Sequence, residues 1–158
     1  MKLFKNLVCI ALVCIMAVFC FAGCKKQDEA KEDAKGFDAE ASFTKLLNDV
    51  QYAEALEDRS SSSEFFFPEV PSDVEIKYFC APSGRYVDSL IMFKAADKDE
   101  LPAIKDSIDS YIGSVTAEFH TYNPAEEPKL QNAVIYENGL YVFVCITDDV
   151  AAVNNILK

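Results

Sequence analysis

The residues of this chain with the clearest chemistry are Phe21-Ala22-Gly23-Cys24, at the end of its long N-terminal apolar run. Lys2 and Lys5 precede that run, which extends from Leu7 to Phe21. The run is shorter than the roughly 20 residues of a membrane-spanning helix and is typical of the apolar region of a signal peptide. Two small residues before a cysteine are typical of a lipobox, in which the cysteine thiol receives a lipid such as palmitate and the preceding peptide is removed. The sequence therefore predicts a signal peptide at 1–23 and a lipidated Cys24.

The lipobox match is incomplete, because Phe21 stands where leucine is usual. The alternative is an ordinary cysteine behind a standard secretory signal or an uncleaved anchor. The segment 25–36 is dense in charge and has no apolar side chain larger than alanine, so residues 24–36 are predicted to be the lipidated cysteine and a flexible tether. We expect the protein on the outer face of the bacterial cytoplasmic membrane, held there through Cys24.

Beyond Cys24 the side chains that could act as nucleophile and base are Cys80, Cys145 and His120. A histidine can serve as general base for a cysteine nucleophile, which would make a small hydrolase. Both cysteines fall on strand-like segments, where the alternatives are buried thiols or a disulfide allowed by an exported compartment. We expect both thiols to be more than about 80% buried and slow to react, because apolar surroundings raise a thiol pKa. His120 is interpreted as a partly exposed residue at a helix C-terminus.

The remaining composition argues against several other classes of function. The formal net charge of −11 repels phosphate backbones, so no nucleic-acid partner is expected. The acid pairs Glu126-Glu127 and Asp148-Asp149 have no calcium-loop spacing, and neither a metal site, a cofactor nor a catalytic motif is predicted. Arg85 and Tyr86, in a turn between strands, and Tyr122, in the following loop 122–128, form the candidate recognition surface.

The periodicity of the apolar residues predicts an α+β domain at 37–158. Helices are predicted after Asp38, after Asp99 (chosen over Asp97 because it keeps Pro102 in the first turn) and after Asp148. Alternating strands precede and follow the second helix, which gives the order α-β-β-α-β-β-α with a mainly antiparallel four-stranded sheet and three helices.

Three local features carry further predictions. Asn138-Gly139 is predicted to form a type I′ hairpin turn. Gly113 in the second helix is expected to pack closely against the sheet, which would offset its poor helix propensity. Phe65-Phe66-Phe67 is interpreted as a plug at the edge of the core, with an exposed ligand platform as the alternative.

Three segments together resemble a known family. They are the strand ending at Met92-Phe93-Lys94-Ala95 with its following helix, the loop Phe119 to Leu130 with sequence FHTYNPAEEPKL, and the hairpin Asn132 to Ile146. They resemble domain-of-unknown-function family 4358, small exported lipoproteins found mainly in Firmicutes, over roughly residues 37–158. Many relatives have glutamate where this chain has Ser89. The resemblance implies an exported lipoprotein and supplies no activity, substrate or catalytic residue.

The function expected from the sequence is a lipid-anchored, non-enzymatic binding or adaptor module of the cell envelope. Its partners would be the membrane, through the lipid, and an unidentified envelope protein or ligand. One alternative is the small cysteine hydrolase that would use Cys80 or Cys145 with His120. A second is a solute-binding accessory of a transporter, which is disfavoured because one domain lacks the usual two-lobed cleft.

Overall fold

A five-stranded antiparallel sheet with helices on both faces is the framework of residues 36–158, the part of the chain that the computed structural model describes. The predicted signal peptide, Cys24 and the tether up to residue 35 lie outside the described residues. The helices are α1 (Ala39–Asp49), α2 (Ser63–Phe66), α3 (Leu101–Tyr122), α4 (Glu127–Gln131) and α5 (Val150–Leu157). The strands are β1 (Glu57–Asp58), β2 (Glu75–Cys80), β3 (Ser89–Lys94), β4 (Val134–Asn138) and β5 (Tyr141–Ile146).

The strand order across the sheet is β1-β2-β3-β5-β4, and all neighbours are antiparallel. Strands β3 and β5 lie at the centre and are apolar on both faces, as expected for strands covered on two sides. Strand β4 forms one edge of the sheet, and the two-residue strand β1 forms the other. The α+β class and the antiparallel sheet are as the sequence predicts.

Each face of the sheet has its own apolar core, because successive side chains of a strand point to opposite faces. On one face, Ile91 and Phe93 of β3 and Val144 of β5 pack with the buried side of α3. On the other face, Leu90 of β3 and Phe143 of β5 pack with α1 and α5. The helices therefore lie in two layers, and α3 alone covers most of the first face.

The sequence predicts an aspartate cap for each of three helices, and only one of the three predicted aspartates is the residue that caps. The Asp38 carboxylate accepts a hydrogen bond from the backbone N–H of Ala41 (2.9 Å), which confirms it as the cap of α1. The prediction of Asp99 for α3 is wrong: Asp97 accepts from the N–H of Asp99 (2.8 Å). A 3-10 turn at Lys98–Glu100 separates Asp97 from α3, so Pro102 still lies in the first α-helical turn, where proline is tolerated.

The final helix begins one residue later than predicted. Asp149, not Asp148, accepts from the backbone N–H of Ala152 (3.3 Å). The neighbouring Asp148 side chain is 83% exposed and stands 3.6 Å from Lys129 instead.

The β4–β5 hairpin is present, but its turn is displaced from the predicted position. Asn138 pairs with Tyr141 in the sheet, so the two loop residues are Gly139 and Leu140. Gly139 has φ 62° and no residue other than glycine has positive φ in the described chain. A positive φ at the first loop residue alone belongs to a II′ turn, so the predicted type I′ turn is wrong.

Gly113 does not pack closely against the sheet as expected. It lies on the exposed side of α3, and apart from the neighbouring helix backbone a Cβ added there would have no atom within 4 Å. Its cost to the helix is therefore not offset by packing.

The predicted four strands and three helices become five of each, because three very short elements have no sequence periodicity. Strand β1 has two residues, α2 has four and α4 has five. Among residues 36–158, no helix has both the length and the apolar character that crossing a membrane requires.

Candidate functional site

The candidate site is a cleft at the β2 edge of the sheet, on the face covered by α3. Its volume is about 520 Å³, within the range of small-molecule sites. Aromatic side chains dominate the lining and come from α2, β2, the β2–β3 connection and α3: Phe65, Phe66, Tyr78, Tyr86, Tyr111 and Phe119. Arg59, Asp88 and Glu118 are the charged residues of the lining. The cleft is thus an apolar hollow with a few polar groups at its border.

Two buried tyrosines form the inner wall of the cleft. The hydroxyl groups of Tyr78 and Tyr111 lie 3.2 Å apart, and the two residues are 3% and 9% exposed. Burial raises the pKa of both phenols, and the neighbouring Tyr111 raises that of Tyr78 further. The inner wall therefore presents neutral, hydrogen-bonded hydroxyl groups at physiological pH.

The short helix α2 forms the outer wall of the cleft. It places the three consecutive phenylalanines, Phe65 to Phe67, in different environments. Phe67 is 2% exposed and packs edge-on against Tyr78 and Phe93, so it is the predicted core plug. Phe65 and Phe66 are 79% and 43% exposed and line the cleft. The plug interpretation is therefore wrong for these two residues, because a single turn of helix cannot direct three consecutive side chains to one face.

A buried ion cluster fixes the loop that borders the cleft. The Lys129 ammonium group donates to Asp88 (2.7 Å) and Glu126 (3.0 Å), and all three side chains are less than 10% exposed. Burial alone would lower the pKa of Lys129, but its hydrogen bonds to the two carboxylates outweigh that effect and raise the pKa. Glu126 also accepts from the backbone N–H of Val87 (3.1 Å). The cluster thereby ties α4 to the β2–β3 connection.

Two of the three predicted recognition residues, Arg85 and Tyr86, lie in the β2–β3 connection. The third, Tyr122, is the last residue of α3 and not part of the following loop as predicted. Tyr86 lines the cleft, with the Lys129 ammonium 5.5 Å from its ring centroid. The Arg85 carbonyl accepts from the Asn123 side chain (3.0 Å), which joins it to the loop after α3. Tyr122 is 65% exposed and packs edge-on against Phe119 of the cleft, with ring centroids 6.0 Å apart. The structure therefore joins the two predicted loops to each other, and of the three predicted residues Tyr86 alone lines the cleft.

The predicted nucleophile and base residues are not assembled into one site. Cys80 lines the cleft and is partly buried, whereas Cys145 is 1% exposed, as predicted, and burial raises its thiol pKa to about 12. Both thiols are free, and the strand register places them on opposite faces, because Cys80 pairs with Ser89 and Cys145 with Leu90. His120 is not part of the cleft lining, and its Nδ1 lies 2.8 Å from Glu127.

The acidic residues of the pairs Glu126-Glu127 and Asp148-Asp149 make separate contacts within the protein and are not arranged around a common metal position. Glu126 is in the buried cluster, Glu127 meets His120, and Asp149 caps α5. In the described part of the chain, no group of three or more histidine, cysteine or acidic side chains is placed to hold a metal ion.

The sequence pattern does not indicate the cleft or the ion cluster. Lys129 and Asp88 are 41 residues apart, and no periodicity connects them. One signal was present: a lysine three residues after a glutamate, in a segment otherwise poor in apolar residues, is compatible with a local ion pair. Nothing in the sequence indicated that this pair is buried.

Comparison with known proteins agrees with the resemblance seen in the sequence. No curated protein and no solved structure matches the chain. One family model matches residues 71–147, which contain β2, β3, α3, the buried cluster and most of the cleft. The model represents the family described as "Domain of unknown function (DUF4358)", and the chain is similar to that family over these residues.

Proposed function

We propose that this protein is a lipid-anchored binding module of the cell envelope, whose ligand site is the aromatic cleft. The anchor rests on the lipobox at Phe21–Cys24 and on the charged segment that follows it. The lipid would hold the domain at the outer face of the cytoplasmic membrane, and the tether would leave the cleft accessible.

The single observation that carries the binding role is the exposure of Phe65 and Phe66 at the mouth of the cleft. Large apolar side chains gain about 1.5–3 kcal/mol each from burial, so leaving two of them in water has a cost. Contiguous exposed apolar surface commonly marks a binding site. The rigid tyrosine wall and the loop fixed by the ion cluster support the idea of a preformed site.

The anchor is tested by labelling cells with radioactive palmitate. The full-length protein should incorporate the label, and Cys24→Ala should not. Cys80→Ala is the matched control and should incorporate as much label as the wild type. Labelling of Cys24→Ala would remove the basis for the anchor.

The binding role is tested by mass spectrometry on the full-length protein, extracted from native membranes in a non-ionic detergent. The wild type should retain a bound small molecule, and Phe66→Ala should lose it. Ile135→Ala is the matched control, because Ile135 is 46% exposed, close to Phe66 in exposure, and lies on the far edge strand β4. Absence of any bound molecule, or equal retention by both variants, would contradict a ligand site in the cleft.

A further inference from the structure

We propose that the cleft accepts a small organic cation, a protonated or quaternary amine on a short apolar skeleton. This inference rests on the proposed function, since it names the ligand class of the same cleft. It starts from the charges of the cleft lining, one of which has no counter-ion among residues 36–158.

Two of the three charged residues in the lining are compensated within the protein. Arg59 forms an ion pair with Glu57 (3.2 Å), and Asp88 is bound to Lys129. Glu118 is exposed and, among residues 36–158, has no ion-pair or hydrogen-bond partner. The cleft therefore offers one uncompensated negative charge beside its aromatic walls.

The position of Glu118 places this charge next to the exposed rings. A second hollow of about 370 Å³ lies along α3, and Glu118, Phe65 and Phe66 line both hollows. Glu118 and the two phenylalanines therefore border the same junction between the hollows. Aromatic rings attract cations within about 6 Å of the ring centroid, and aromatic cages are a known means of binding quaternary ammonium groups.

Other classes of ligand fit this lining less well. A neutral apolar ligand would remove water from the Glu118 carboxylate without supplying a positive charge to compensate it, which is unfavourable. An anion would be repelled by Glu118 and by the formal net charge of −11. The same net charge attracts cations toward the cleft, where a low-dielectric wall concentrates the field.

The probes that test this inference are choline and 3,3-dimethylbutan-1-ol, which has the same shape with carbon in place of the charged nitrogen. Binding to the full-length protein in a non-ionic detergent is followed by saturation-transfer NMR on the methyl singlets. Choline should bind about tenfold more tightly than the neutral alcohol, as expected for a desolvated cation–aromatic contact.

Three variants test whether the junction of the two hollows causes the difference in affinity between choline and the neutral alcohol. Glu118→Gln should weaken choline binding about fivefold and leave the neutral alcohol unaffected. Phe66→Ala should weaken both probes. Glu137→Gln is the matched control, since it removes one exposed carboxylate from the far edge strand β4, and it should leave both affinities unchanged.

Three results would overturn the inference. The first is equal affinity for the two probes. The second is choline binding that Glu118→Gln does not weaken. The third is that neither choline nor the neutral alcohol binds. Equal affinities that Phe66→Ala abolishes would reject the cation and retain the cleft as a binding site. The bound molecule sought by mass spectrometry tests the proposed function separately.

Discussion

Lys129 and Asp88 form an ion pair of 2.7 Å in which the two side chains are only 6% and 1% exposed. The pair connects α4 to the segment between β2 and β3, and that segment borders the aromatic cleft. Buried charges of this kind are tolerated only when they are paired and hydrogen-bonded. The integrity of one end of the cleft therefore depends on a single lysine.

Replacing Lys129 by methionine should lower the free energy of unfolding by about 3–5 kcal/mol, because Asp88 and Glu126 would be left buried without their cation. Urea denaturation measures the change. Lys105→Met is the control, since Lys105 pairs with Glu137 on the exposed surface and its loss should cost about 0–1 kcal/mol. A Lys129→Met variant as stable as this control would show that the cluster contributes little.

Alkaline pH should destabilise the domain through its buried phenols. Burial raises the pKa of Tyr52, Tyr78 and Tyr111 above the ordinary value of 10.0. The unfolded chain loses these protons first, so their contribution to stability is complete below pH 10 and declines as the pH rises above it. Urea denaturation of the wild type at pH 8 and pH 11 should show this decline, and Tyr52→Phe should reduce it. A stability independent of pH over this interval would contradict the assignment.

The hairpin turn and the long helix contain glycines whose substitution should have opposite effects. Gly139→Val should lower the free energy of unfolding by about 1 kcal/mol or more, because Gly139 has φ 62°, which a β-branched residue resists. Gly113→Ala should raise it by about 0.5–1 kcal/mol, because the added methyl group meets no atom within 4 Å outside the neighbouring helix backbone and alanine favours the helix. Thermal unfolding measures both, and equal effects of the same sign would contradict the turn geometry.

The two strand cysteines should differ in their reaction with iodoacetamide. Cys145 should react very slowly at pH 8, because it is 1% exposed and burial raises its thiol pKa to about 12. Cys80 should react faster, because it lines the open cleft. Mass spectrometry of Cys80→Ser and Cys145→Ser follows each thiol by itself. Alkylation of Cys145 as rapid as that of Cys80 in the folded protein would contradict the packing.

The order of the long elements was accessible from sequence because burial follows their periodicity. Leu101, Ile104 and Ile108 recur at helical spacing, and all three are buried against the sheet. Val74, which immediately precedes β2, and Ile76 and Tyr78 within β2 follow a strand alternation, and all three pack into the α3-side core. In both cases a local pattern and its tertiary environment agree.

The cleft was not accessible in the same way, because it depends on contacts between distant residues. Phe65, Phe66 and Phe67 are chemically identical, and only the path of α2 decides that Phe67 enters the core. A continuous α-helix from Asp97 would misplace Pro102, so the sequence favours Asp99, but the intervening 3-10 turn removes that conflict. Short irregular segments of this kind leave no periodic signal, and they build most of the outer wall of the site.

Site-specific photocrosslinking in the native cell is the most direct test of the cleft as the ligand site. A photoreactive phenylalanine analogue is placed at Phe66 or, as a control of similar exposure, at Ile135 on β4. After irradiation, mass spectrometry should find an adduct of one defined small mass at position 66 and none at position 135. An adduct at both positions, or at neither, would contradict the assignment of ligand binding to this cleft.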